Sequence, residues 1–322
     1  MLRLSWINAV IAAGVLMSII ALGGCGQFSP PYLKPLPAPT RALLAQKGMS
    51  EQSPMLVRIF KAESELEVWK AREDGRYYHF KTYPICDWSG KLGPKINQGD
   101  RQAPEGFYLV SSPQMNPKSK YYLAFNIGFP NSYDRAYGRT GADIMVHGDC
   151  KSAGCYAMTD GVVEEIYILA RESLAGGQQS FQVQAYPFRM TAANMAKHKG
   201  DKWYDFWWNL KEGYDYFEVT RRPPRVEVCE KRYLINASFV DRGARPDPAG
   251  ACPAFERLPM QRGPALQEAS TKPAAKSSTQ ASIGKPLGSW FDLTFGTAKP
   301  AYTAFTLGPA TPATPAPAAK RK

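Results

Sequence analysis

The 322-residue sequence predicts an α+β fold, mostly β with appended helices, and three observations carry that reading. The globular part opens on short apolar runs separated by polar turns, MLVRIFK (55–61), LEVWK (66–70) and YYHFKTY (77–83), which read as a β-meander. Within that part, helical signals begin only after residue 158, each a capping residue followed by an apolar face at helical spacing. Proline-rich sequence before residue 41 and low-complexity sequence after residue 262 bracket one domain of about 180 to 200 residues, ample for a core of its own.

In chain order, residues 1–25 read as a lipoprotein-type signal peptide. Arg3 precedes an apolar run over 6–22, interrupted at Asn8 and Ser18, and Leu22-Gly23-Gly24 leads into Cys25. Small residues before a cysteine resemble a bacterial lipobox, in which Cys25 is lipidated and becomes the mature N-terminus. Ordinary cleavage near Gly23 and an uncleaved anchor, close to the ~17-residue lower limit for a span, are the alternatives. Each exports the remainder into an oxidising compartment, and the lipobox places it in the periplasm or cell envelope as a membrane-anchored lipoprotein. Residues 26–54 form a Pro-rich linker, extended through FSPPYLKPLPAPT, with a short helix at 41–47.

The globular domain is expected over 55–237. After the meander comes a long Gly, Pro and Lys-rich loop at 86–106, of the kind that is functional or pinned by other elements. Strands follow at 107–110, 121–127 and 144–147. Thr159 or Asp160 caps a helix to about residue 173, and another strand spans 181–186. Thr191 caps a short helix ending near Gly200, and Asp201 caps a second over 202–212, stopped by Gly213. A hairpin of 225–229 with 233–237 closes the domain. A Cys-containing extension at 238–261 and an Ala/Pro/Lys-rich disordered tail at 262–322 complete the chain; the tail buries too little apolar surface to offset its ordering entropy.

The chemistry concentrates in MVHGDCKSAGCYAMTD (145–160). His147 ends a short apolar run, and Cys155 follows eight residues later. A thiol becomes a competent nucleophile near neutral pH when a neighbour lowers its pKa or takes its proton, which an imidazole does. Ser152, Ala153 and Gly154 are small enough to let a substrate carbonyl approach the backbone. With Cys155 kept free, Cys86, Cys150, Cys229 and Cys252 allow three pairings. Proximity in sequence favours Cys229–Cys252, leaving Cys86–Cys150. No metal is expected, since His147, Cys150 and Cys155 lack a nearby fourth ligand. The formal charge of +12 is scattered rather than striped, so anionic envelope polymers and membrane headgroups are better partners than nucleic acid.

Four ordered segments, ICDWSGKLGPKINQGDRQAPEGFY, FNIGFPNSYDRAYG, MVHGDCKSAGCYAMTD and YPFRMTAANM, resemble the L,D-transpeptidase catalytic domain (YkuD family), and within it the YafK-like subgroup. The resemblance implies an L,D-transpeptidase-like β-sandwich core and a cofactor-independent cysteine acyltransferase. Its substrate would be the peptidoglycan stem peptide at meso-diaminopimelate, or a peptidoglycan-linked lipoprotein. It makes Cys155 the nucleophile and His147 the base, gives Gly154 and Cys155 N–H groups the oxyanion site, and sets Ser152 at the small hydroxyl position. The sequence departs from the broad pattern where Ala153 replaces a second histidine and where Tyr156 and Ala157 stand in place of an arginine. Arg135 and Arg139 are candidates for a substrate carboxylate, beside the alternative of an Asp134–Arg135 surface pair. Tyr133 and Tyr156 are candidates for lining the groove or for packing. The alternatives to acyl transfer are a hydrolase, amidase or L,D-carboxypeptidase, and a non-catalytic wall-binding lipoprotein.

Overall fold

Strand β1 (Met55–Phe60) is buried at every position. Its side chains alternate between two packed faces, Met55, Val57 and Ile59 towards one cluster and Leu56 and Phe60 towards others, as a two-residue period requires. The computed structural model describes residues 29–259; the signal peptide with Cys25 and the tail from 262 lie outside the described residues.

In the first sheet β1 is central. It pairs antiparallel with β2 (Glu65–Ala71), which pairs with β3 (Tyr77–Pro84), and parallel with β10 (Ser180–Tyr186), whose other neighbour is β5 (Gly106–Ser111). The second sheet has the order β4 (Asp87–Trp88), β9 (Tyr156–Ala157), β8 (Met145–His147), β7 (Ala124–Asn126), β6 (Met115–Asn116). Both sheets feed one core: Val57, Val68 and Val183 from the first meet Phe125, Val146 and Tyr156 from the second, and the Phe125 and Phe181 rings make an edge contact at 5.5 Å. The fold is therefore α+β, with two mixed sheets sharing a core.

Helix α3 (Asp160–Ala175) packs into that core through Val163, Ile166 and Leu169–Ala170. It extends two residues beyond the expected end. Ahead of it in the chain, α1 (Ala38–Gln46) begins inside the stretch expected to be extended. Proline is tolerated in a helix's first turn, where no intrahelical N–H is needed. Leu36 and Leu44 are buried in the main core, and Lys34 and Thr40 bond Glu164 and Glu165 of α3, so residues 31–46 are part of the fold rather than a free linker.

The opposite face of the first sheet is covered by α5 (Tyr204–Thr220). Gly213 does not stop this helix. A Cβ there would sit 2.4 Å from Phe107 Cζ, so the glycine permits a close approach in mid-helix instead of serving as a cap. The strand expected over 121–127 is shorter because Tyr122 has φ of 68°, which breaks the extended backbone. Short helices α2 (Ser132–Ala136) and α4 (Ala192–Lys197) carry side-chain caps from Asn131 and Thr191. Beyond the hairpin β11 (Val226–Cys229) and β12 (Arg232–Ile235), the extension folds back: β13 (Ala237–Phe239) pairs with β14 (Phe255–Arg257), and a disulfide joins Cys229 to Cys252.

The long loop at 86–106 is pinned from below. Lys61 Nζ, fully buried, donates to Glu105 Oε1 at 2.9 Å and to the carbonyls of Lys91, Gly93 and Ala103. Trp207 Nε1 of α5 donates to the other carboxylate oxygen at 2.8 Å. An apolar cavity would tolerate neither charge alone; together they fix the loop that borders the second sheet.

Candidate active site

Strand β8 runs parallel to β9, with Val146 opposite Tyr156 and His147 opposite Ala157. Continuing that register back by one residue sets Cys155 opposite Met145. Because paired residues share a face and alternate residues return to it, Cys155 lies on the same face as Met145 and His147. The backbone N–H of Met145 points at Cys155 Sγ at 3.4 Å, and the Asp143 carbonyl oxygen lies 3.8 Å from the same sulfur. Cys155 is a free, partly exposed thiol, whereas Cys150 is bonded to Cys86.

His147 is buried, and its Nδ1 lies 2.6 Å from the Gly148 carbonyl oxygen. A carbonyl only accepts, so Nδ1 carries a proton, and in the neutral imidazole Nε2 then keeps its lone pair. The Tyr121 ring leans over the imidazole at 4.8 Å. Burial lowers the pKa of His147, against the Gly148 bond and the charges of Asp149 and Asp87 that raise it. Burial also raises the pKa of Cys155, partly offset by the Met145 N–H and the Lys95 ammonium. Both shifts favour the neutral forms, thiol and imidazole, over a thiolate and an imidazolium.

The loop between them is held at several points. Gly148 N–H donates to Tyr121 O at 3.0 Å, Asp149 N–H to Asp160 Oδ1 at the start of α3, and Cys150 N–H to Met158 O. Ser152 is a clamp. Its N–H donates to Asp87 Oδ2 at 2.7 Å, its Oγ donates to the Cys155 carbonyl at 2.8 Å, and that Oγ accepts from Gly154 N–H at 3.2 Å. The Gly154 N–H expected at the oxyanion site is thus engaged within the loop. Gly154 itself has φ of 125°, a conformation costly for any residue with a Cβ.

Several sequence candidates fall elsewhere. Tyr156 is fully buried and donates its hydroxyl to Pro104 O; Tyr133 is buried and stacks on Tyr233 at 4.3 Å. Tyr156 packs, because the alternation that exposes Cys155 turns it inward, whereas Tyr133 both packs and forms part of the wall of a cleft with Tyr137 and Arg139. Arg139 is buried and pairs with Asp134 at 2.7 Å, so the pair involves Arg139 and not Arg135. Arg135 is exposed, bonding Pro130 O and Ser132 Oγ. His79 is exposed on β3 against Thr82, and His198 stacks on Phe188 just past α4. The residues that sequence reasoning missed are Asp87, Lys95, Tyr121 and Asp143; Asp87 sits in the CDWSG segment, but nothing local marks it as the partner of Ser152.

The sequence is 51% identical over 184 residues to the Escherichia coli K12 protein named "Putative L,D-transpeptidase YafK", covering 57% of this chain and 74% of that protein. The chain belongs to the YafK-like L,D-transpeptidase family. The protein of the same name from Escherichia coli O157:H7 matches with the same identity and coverage. No family model matches the sequence. Among solved structures, the helical cell shape determining protein Pgp2 of Campylobacter jejuni overlaps at 24% identity and TM-score 0.33, over 45% of this chain and 54% of that one. Bd1075 of Bdellovibrio bacteriovorus overlaps at 20% identity and TM-score 0.30, over 52% and 59%. The chain thus spans little more than half the length of either.

Proposed function

We propose that this L,D-transpeptidase-family protein is a cell-envelope cysteine acyltransferase or peptidase that acts on peptidoglycan stem peptides at meso-diaminopimelate through a thioester on Cys155. The observation that carries the reading is that Cys155 and His147 share one face of the second sheet, with His147 Nδ1 held by the Gly148 carbonyl so that a neutral imidazole has Nε2 free to act as base. In the proposed first step, Nε2 takes the thiol proton as Sγ attacks the substrate carbonyl carbon. The tetrahedral intermediate collapses with cleavage of the carbon–nitrogen bond, and the imidazolium returns its proton to the departing amine. The backbone N–H of Cys155 is the oxyanion donor in this reading, Gly154 N–H being taken up by Ser152. An acceptor amine or water, deprotonated by His147, then attacks the thioester and releases the thiol.

A hydrolytic outcome is favoured by one observation. Tyr156, at the position after the nucleophile, is fully inside the core, so that position offers no group to hold an incoming amine, and water needs none. The cut bond would then be a diaminopimelate-linked peptide or lipoprotein. The periplasmic location and lipid anchor at Cys25 belong to the same proposal.

The test is mass spectrometry of products after incubating the protein, with and without Cys155→Ala, with purified sacculi and with soluble muropeptides. Cross-linked products that depend on Cys155 establish acyl transfer to an amine; trimmed stems or released protein fragments establish hydrolysis. Absence of any Cys155-dependent product would return the protein to a wall-binding role.

A further inference from the structure

A cleft of about 300 Å3 has a basic wall: Arg139, Lys202, Lys231 and Arg232 against a single lining acid, Asp205, with Arg139 also paired to Asp134 and Arg232 to Glu212. Its aromatic surfaces carry cations on their faces. Lys231 Nζ lies 5.8 Å from the Tyr137 ring centre and Lys202 Nζ lies 5.0 Å from that of Trp203. Arg139 adds a second kind of observation. Its Nη1 pairs with Asp134, yet its Nε is buried with no hydrogen-bond partner. The guanidinium is held inside the wall by Asp134 and by the Tyr133, Tyr137 and Phe206 rings, so its charge backs the cleft.

The cleft is tied to the active loop by covalent and hydrogen-bonded links. Ile96, also in its wall, accepts from Thr140 N–H at 2.9 Å, and Asp143, three residues on, has its carbonyl oxygen 3.8 Å from Cys155 Sγ. Four chain steps separate Arg139 from Asp143, so their backbones are no more than about 14 Å apart. Lys95, adjacent to Ile96, has its charge within electrostatic reach of that thiol. An extended peptide of four residues covers the same span.

We propose that this cleft is a subsite for a carboxylate-bearing segment of the substrate chain, occupied while the reacting carbonyl sits at Cys155; the assignment rests on the stem-peptide reading above. Lys202 and Lys231 donate to the carboxylates, and Arg139 adds its positive charge from within the wall, behind the Tyr137 ring. Specificity for acidic over amidated chains follows, because an amide replaces an ion-paired oxygen with a donor facing other donors.

The test uses the full chain carrying Cys155→Ala, so that no turnover occurs, and isothermal titration with a soluble meso-diaminopimelate muropeptide. The same muropeptide with amidated carboxylates is the second probe. The substitutions Lys202→Gln and Lys231→Gln are combined, and thermal unfolding verifies that the fold is kept, both side chains being exposed. The expected result is about tenfold weaker binding of the acidic muropeptide to the double variant. The amidated probe binds the parent about as weakly, and the advantage of the acidic probe shrinks with added salt. Equal affinity of parent and double variant overturns the subsite and leaves the stem-peptide reading standing. Failure of the parent to bind either muropeptide overturns both.

Discussion

The Lys61 ammonium and the Glu105 carboxylate lie 2.9 Å apart with neither side chain exposed. Each leaves the other as an uncompensated buried charge if removed. Glu105→Gln or Lys61→Met is expected to destabilise the protein by about 3–5 kcal/mol, read from denaturant unfolding. A loss below about 1 kcal/mol would show that the pair is not what holds the 86–106 loop.

The pH dependence of catalysis follows from two opposed shifts. Catalysis by this pair needs a neutral imidazole, and burial lowers the pKa of His147 from its ordinary 6.5. Activity is therefore retained as pH falls through 6.5 and lost only below it. Burial raises the Cys155 pKa above its ordinary 9.0, so alkylation of the free enzyme by iodoacetamide increases with pH through an apparent pKa above 9. A kcat/KM acid limb centred above pH 7, or alkylation already maximal at neutral pH, would indicate a thiolate–imidazolium pair and sink this description.

Gly154→Ala tests the loop conformation separately from the chemistry. With φ of 125° and no heavy atom nearer than 3.7 Å to an added Cβ, the cost is conformational rather than steric, about 1–3 kcal/mol. The expected outcome is a folded protein whose Cys155-dependent turnover falls at least tenfold. Turnover equal to the parent would show that this backbone geometry does not position the thiol.

Gly213→Ala sets two effects of opposite sign against each other. Helix propensity alone favours alanine by roughly 1 kcal/mol. The added methyl would meet Phe107 at 2.4 Å, and overpacking of this kind costs about 1–3 kcal/mol. Net destabilisation is the expected result by thermal or chemical unfolding; a raised midpoint would mean that Phe107 moves aside freely.

The disulfide between Cys86 and Cys150 spans 64 residues. Loop entropy assigns it about 4 kcal/mol, and it fastens the His147–Cys155 loop to the start of the 86–106 loop. Cys86→Ser with Cys150→Ser is expected to lower the unfolding midpoint and to reduce turnover. An unchanged midpoint would show that the hydrogen bonds from Gly148, Asp149 and Cys150 hold the loop unaided.

By itself the sequence determined what is local. The apolar runs at 55–60 and 66–70 bounded by polar turns encode strands, Thr159 and Thr191 mark where helices begin although only Thr191 caps with its side chain, and the MVHGDCKSAGCYAMTD segment places a histidine and a cysteine where one loop can join them. What only the tertiary structure decided depends on partners far away in the chain. Lys61 finds Glu105, Ser152 finds Asp87, and Gly213 meets Phe107 rather than ending its helix. The same holds for Arg139, whose pairing with Asp134 and place in the cleft required the 96–100 loop, α2 and α5 to meet. Periodicity reports which face of an element is apolar, but carries no record of which side chain from another element will occupy the space opposite.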